Sequence, residues 1–275
     1  MHDTTQQTTG TPSIRFWTAG TQGPRVLLIM GYGMRGDIWE PQINGLRQTH
    51  QVAWFDNRGI GDSERGSKSR WRMHDMALDT LSVMDHLGWE HCHLVGVSMG
   101  GMIAQEVALH APHRLQSLSL IVTHAGGITL QKLPTRKGLK AFVGLNQGDL
   151  NQRIESLKRL LYPPEYLALA DHEALRKRIQ KRIGRPLDRA TALGQLSAIA
   201  RHDTRKRLGR LKMPTLIIKA GQDILVRPTA SDHLKAYMPS AAFIEIPEAG
   251  HGVIFQASDR VNAVLQTHFK QATKE

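Results

Sequence analysis

The sequence predicts an α/β fold: a mostly parallel sheet with helices on both faces and a helical insertion after its middle strand. Three observations carry this expectation. Short, continuous apolar runs alternate with segments of helical spacing, the pattern of strands buried on both faces. That rhythm stops after Thr123 and resumes at Pro214. A chain of 275 residues is also long enough to bury a substantial core without staples.

The elements follow in order. Residues 1–12 are polar, lack the apolar run of a secretory signal and are expected to form a flexible tail. "SIRFWT" (Ser13 to Thr18) reads as an edge strand and "RVLLIM" (Arg25 to Met30) as the first long one. A helix is expected near Ile38 to Gln48, with Asp37 as N-cap and Glu40 three residues later in a capping box. "HQVAWFD" (His50 to Asp56) is the next strand. Met76, Leu78, Leu81, Met84 and Leu87 mark a helix over Met73 to Leu87. A strand at His91 to Val97, a helix at Met99 to His110 and a strand at Leu115 to Thr123 follow. Residues 126–211 read as a helical cap broken at Pro163-Pro164 and Pro186. Strands at Pro214 to Gly221 and Ala241 to Pro247 and a helix at Val261 to Lys270 complete a core of residues 13–125 and 212–275. An insertion at the carboxyl ends of the strands lies over the usual ligand crevice.

Chemistry concentrates in "GVSMGG". Gly96, Ser98 and Gly100 fit G-x-S-x-G, set between a strand and a helix. The serine of such a turn sits on a sharp, strained bend, and residues two before and two after it come too close for side chains. The bend lifts the hydroxyl above the sheet and aims the Met99 N–H at the place where an oxyanion would form. A serine hydroxyl is a weak nucleophile and needs a base held by a third group. Asp223 follows "PTLIIKAGQD" and His251 follows "AAFIEIPEAGH", each just past a strand on the same rim as Ser98. Asp232 and Glu248 are the rival acids and stand in poorer positions. His91 and His93 flank Cys92, but no further ligand pair accompanies them, so they read as strand-end polar residues and no metal is expected.

Gly31, Gly33 and Gly36 after the strand, with Asp56 about 20 residues on, also fit a dinucleotide-binding fingerprint. A Rossmann helix would begin inside those glycines so that its N-terminus could hold the pyrophosphate. Here the helix signal comes later, and Asp56 runs into a glycine-rich loop, so no nucleotide cofactor is expected.

"GYG" after the first long strand, "FDNRGIGDS" (Phe55 to Ser63), "GVSMGG", "GQD" and "GHG" together resemble the α/β-hydrolase superfamily over Ser13 to Lys270, most of all its capped, cofactor-free serine hydrolases. The resemblance implies a Ser98–His251–Asp223 triad. It also implies an oxyanion hole made by the backbone N–H groups of Tyr32 and Met99. Met30 stands where the family usually has a supporting histidine, which leaves the Tyr32 donor in place. A serine nucleophile sets the chain apart from the dehalogenases and epoxide hydrolases, whose members carry Asp at this turn. A carboxylesterase is the leading expectation. Lactonase, carbon–carbon bond hydrolase, lipase or perhydrolase chemistry stays open on the same three residues, as does a non-catalytic ligand receptor on this scaffold.

The charge is unevenly placed. Residues 131–212 carry 20 Lys and Arg against 7 Asp and Glu, and the rest of the chain 16 against 17. Such an excess serves a solvated helical surface, attraction of anionic acyl substrates, or weak contact with an anionic membrane surface. No finger spacing, RNP motif or aromatic ladder accompanies it, so nucleic acid is not expected as a partner. One cysteine excludes an internal disulfide, and a cytoplasmic location is expected.

Overall fold

Successive side chains of a strand point to opposite faces, so a strand apolar at every position must be covered twice. "RVLLI" obeys this in the computed structural model, which describes residues 4–68, 70–127, 133–145, 147–183 and 187–273. Eight strands form one sheet: β1 (Thr4–Gln7), β2 (Arg15–Ala19), β3 (Arg25–Ile29), β4 (Gln51–Phe55), β5 (Cys92–Val97), β6 (Leu115–Ile121), β7 (Thr215–Ala220) and β8 (Ala242–Ile246). Their spatial order is β1-β2-β4-β3-β5-β6-β7-β8. β1 and β2 run antiparallel to their neighbours, and the other strands are parallel.

On one face Leu27, Ile29, Leu94, Leu118 and Leu120 pack against α2 (Met73–His86) and α3 (Met99–His110). On the other, Val26, Leu28, Val95 and Ile218 pack against α1 (Glu40–Leu46) and α11 (Ser258–Ala272). Full burial of each such side chain stabilises the fold by about 1.5–3 kcal/mol. Between β6 and β7 the chain adds α4 (Arg136–Gly144), α5 (Leu150–Leu161), α6 (Pro164–Leu169), α7 (His172–Ile183) and α8 (Arg189–Arg201). Three of these begin on side-chain caps: Thr135 accepts from the Gly138 N–H, Asp149 from Gln152 and Asp188 from Thr191. Ile154, Leu157, Tyr162, Leu175 and Ile179 give them a small core of their own. α9 (Pro228–Tyr237) links β7 to β8, and α10 (Val253–Gln256) precedes α11.

Four expectations need correction. Residues 4–7, assigned to the flexible tail, form β1 because the outer edge of β2 offers free backbone groups, and Thr4↔Thr18 to Gln7↔Arg15 pair along it. β2 is therefore not the edge. Asp37 caps no helix. The chain turns early, through a 3₁₀ segment at Gly36–Trp39, because the buried Asp56 carboxylate holds the Gly36 N–H at 2.6 Å, and α1 begins only at Glu40. His93 is not a strand-end residue: it lies within β5 and is buried against Phe269 on one face of the sheet, while Cys92 is buried beside Met84 on the other, whereas His91 is exposed. Pro186, read as a break in the insertion, lies outside the described residues.

Candidate active site

β3 and β5 are neighbours, but the chain leaves β3 for β4 on one side and returns to β5 on the other. A crevice opens at such a switch point, beyond the carboxyl ends of the strands. Gly31 and Tyr32 follow β3 and Ser98 follows β5, so both loops enter that crevice.

Ser98 has φ 55° and ψ −122°, a left-handed conformation that a side-chain-bearing residue adopts only under constraint. The constraint is legible around it. Its N–H donates to the Ile121 carbonyl at 2.9 Å, and Thr123 Oγ1 donates to its carbonyl at 2.7 Å. A Cβ on Gly96 would stand 2.3 Å from the Gly100 oxygen, and one on Gly100 2.1 Å from the Ile29 oxygen. Both spacings are far below contact distance, so the turn admits glycine alone. Met99 opens α3, and the amides of a first turn have no intrahelical acceptor. Its N–H is therefore available at the positive end of the helix dipole.

The Tyr32 loop is tethered from three sides. Asn57 Nδ2 donates to the Met30 carbonyl at 2.8 Å, the Gly33 N–H donates to Gln195 Oε1 of α8 at 2.8 Å, and Gly36 is held by Asp56. A Cβ on Gly31 would lie 3.1 Å from Ser98 Cβ, so glycine keeps the space over the serine open. Asp56 itself is fully buried, and burial raises its pKa to about 6. The carboxylate of the apparent dinucleotide fingerprint thus serves the protein's own Gly36.

Asp223 and His251 meet. His251 Nδ1 lies 2.6 Å from Asp223 Oδ2, and both side chains are nearly fully buried. An ionised carboxylate only accepts, so Nδ1 carries the hydrogen and Nε2 is the acceptor nitrogen. The other oxygen, Asp223 Oδ1, accepts from the Leu225 and Val226 N–H groups at 2.8 and 2.9 Å. These bonds fix the orientation of the carboxylate. The histidine loop is anchored as well: Gly250 N–H donates to Gln256 Oε1, and Gly252 N–H donates to the Leu161 carbonyl at the end of α5. The rival acids are engaged elsewhere, Asp232 with Lys219 and Glu248 with Arg260.

Ser98, His251 and Tyr32 line one narrow cavity, with about 90 Å³ open to the centre of a water molecule. Its remaining walls are mostly apolar and come from the inserted helices (Phe142, Leu145, Leu157, Ile179) and from Met34, Ile254 and Phe255. On these apolar walls a few polar groups converge, the usual make-up of a ligand pocket. Three contributors escaped the sequence reading: the tethers Asn57 and Gln195, and the cavity cation Arg178. Asn57 lies in the "FDNRGIGDS" motif, which marked the loop but not its bond. Gln195 carries no local signal, and Arg178 lies in the basic segment 131–212 with nothing to mark it out from its neighbours. Among the described residues no group of three or more His, Cys, Asp or Glu side chains is placed to hold a metal ion. None of the described helices is long and apolar enough to cross a membrane.

Comparison with known proteins agrees with this architecture. RutD of Azorhizobium caulinodans, provisionally named a carbamate hydrolase, is 30% identical over 245 residues, which span 88% of this chain and 90% of that one. An esterase from the thermophile Thermogutta terrifontis, solved with malate bound, superposes with a TM-score of 0.80 at 25% identity, covering 98% and 99% of the two chains. The enol-lactonase of Burkholderia xenovorans LB400 gives a TM-score of 0.81 at 20% identity, covering 97% and 100%. Residues 24–258 match the family described as the alpha/beta hydrolase fold, and the chain belongs to that family.

Proposed function

We propose that the protein is a serine hydrolase that cleaves a carboxylic ester or related acyl bond through Ser98, His251 and Asp223, under a cap formed by α4 to α8. The observation that carries this reading is the 2.6 Å Asp223–His251 contact opening onto the cavity that also holds the strained Ser98.

In this mechanism His251 Nε2 takes the Ser98 hydroxyl proton as Oγ bonds to the substrate carbonyl carbon. The Tyr32 and Met99 N–H groups receive the charge that builds on the carbonyl oxygen. The tetrahedral adduct collapses, the bond to the leaving oxygen breaks, and His251 hands its proton to that oxygen. Water then attacks the acyl-enzyme, His251 takes one of its protons and returns it to Ser98, and the acid departs. Asp223 keeps the imidazole in the required tautomer and stabilises its charged form. Nothing in this cycle calls for a cofactor.

A carbamate is the second reading. A carbamate carbonyl suits the same attack, and the 30% identity to a protein named for that substrate favours it over the lactone and carbon–carbon alternatives. A panel of nitrophenyl esters, carbamates and lactones separates these readings. On the preferred substrate, Ser98→Ala is expected to lower kcat by at least about 10³-fold. A variant that turns over at the parent rate refutes the proposal, and parent protein that binds but never turns over any member of the panel points to a receptor.

A further inference from the structure

The cavity lining contains an outlier. Ser98 and His251 are engaged in the proposed chemistry, and Tyr32 and Tyr162 carry neutral hydroxyls. Every other described lining residue is glycine or apolar except Arg178 of α7. No Asp or Glu is among the described lining residues.

The side chain is also oriented. Its guanidinium carbon sits 4.9 Å from the centre of the Phe255 ring, over its face, and Nη2 reaches to 3.4 Å from the Tyr162 hydroxyl. Tyr162 in turn stacks on Tyr166, with ring centres 5.0 Å apart. A guanidinium held this way presents a planar array of donors that matches a carboxylate in two-point contact, a match Lys does not make.

A neighbouring groove carries the same sign. It is wider, shares Leu160 and Tyr162 with the cavity and displays Lys137, Lys140 and Arg159. The acid on that groove is Asp223, whose oxygens are held by His251 and by the backbone of Leu225 and Val226. The basic side chains of this adjoining groove raise the local concentration of anions beside the cavity.

We propose that Arg178 makes this cavity selective for acyl substrates that carry a carboxylate in addition to the reacting carbonyl. The inference rests on the hydrolase reading above and names its substrate class.

The test compares two nitrophenyl esters of equal chain length, the anionic mono-nitrophenyl glutarate and the neutral nitrophenyl valerate, on the parent protein, Arg178→Gln and Arg178→Lys. The parent is expected to prefer the glutarate in kcat/KM. Arg178→Gln is expected to lose about 10- to 100-fold on the glutarate, the worth of hydrogen bonds to a charged group, while the valerate changes less than about threefold. Arg178→Lys, which keeps the charge and loses the fork, should fall between. Equal losses on both esters, or a parent that favours the neutral ester tenfold, overturn the proposal. A second measurement does not depend on turnover: glutarate is titrated calorimetrically into Ser98→Ala and Ser98→Ala/Arg178→Gln proteins. Binding to the first and at least tenfold weaker binding to the second supports the anion site even where no ester is hydrolysed. No difference between the two rejects it, whatever becomes of the hydrolase reading.

Discussion

The chemistry proposed here turns on the tautomer of one imidazole. Asp223 receives the Nδ1 hydrogen of His251 at 2.6 Å, which leaves Nε2 as the acceptor for a serine proton. Asn at position 223 fills the same volume but can present an amide N–H to Nδ1, and that reverses the tautomer. Asp223→Asn is therefore expected to cost about 10³- to 10⁴-fold in kcat, with KM little changed and the melting temperature close to that of the parent. A loss that appears only in KM contradicts the role. A second histidine makes a different claim at this scale. His93 is fully buried, bonded through Nδ1 to Ser117 Oγ at 2.8 Å and stacked on Phe269, and burial lowers its pKa to about 3. The unfolded chain protonates this residue near pH 6.5. Between those values the unfolded state binds more protons than the folded one, so stability falls as pH is lowered from about 6.5 toward 3. His93→Asn should flatten that acid slope in urea titrations from pH 7 to 4. An unchanged slope means that other groups govern it.

At the scale of elements, the turn between β5 and α3 is tightly constrained, and it was also legible in the sequence. Glycines at 96, 100 and 101 announced close approaches, and each has one: Gly96 to Gly100, Gly100 to the Ile29 carbonyl, Gly101 to Thr123. Gly100→Ala would place a methyl group 2.1 Å from the Ile29 oxygen, at the root of the Tyr32 loop. The expected outcome is a destabilisation of about 1–3 kcal/mol together with a loss of kcat larger than the unfolded fraction explains. Thermal melts and single-turnover rates on the same preparation check it. The elements that local pattern misassigned failed for long-range reasons. The capping signal at Asp37 was outcompeted by a carboxylate distant in sequence, since Asp56 takes the Gly36 N–H and re-routes the chain. The strand at Thr4–Gln7 has no apolar pattern at all and exists because β2 has an edge to pair with. Arg58 of the glycine-rich loop is another long-range case. It is buried against Asp79 of α2 through bonds of 2.6 and 2.7 Å, and a composition of loop residues does not disclose that anchor.

Across the whole molecule the sheet order performs the convergence. Ser98, Asp223 and His251 each follow a parallel strand, and parallel strands share one carboxyl-terminal rim. That is why an order of motifs along the chain sufficed to nominate all three, while the cavity did not emerge until the packing was known. Its walls are contributed by helices separated by tens of residues, and the positions of Phe142, Leu157, Arg178 and Phe255 relative to Ser98 depend on packing rather than on pattern. The charge excess was visible from composition, but that one of those cations enters the cavity was not. On the proposed mechanism the reactivity of Ser98 is in consequence a property of the assembled fold. The most direct measurement is labelling with a fluorophosphonate, in which Oγ displaces fluoride to form a phosphonate ester, followed by peptide mass mapping. Stoichiometric adduct on Ser98, lost in His251→Gln and lost on urea unfolding in step with tryptophan fluorescence, is the expected result. An unlabelled Ser98 in a protein that still hydrolyses esters, or adduct formation indifferent to His251, contradicts the account.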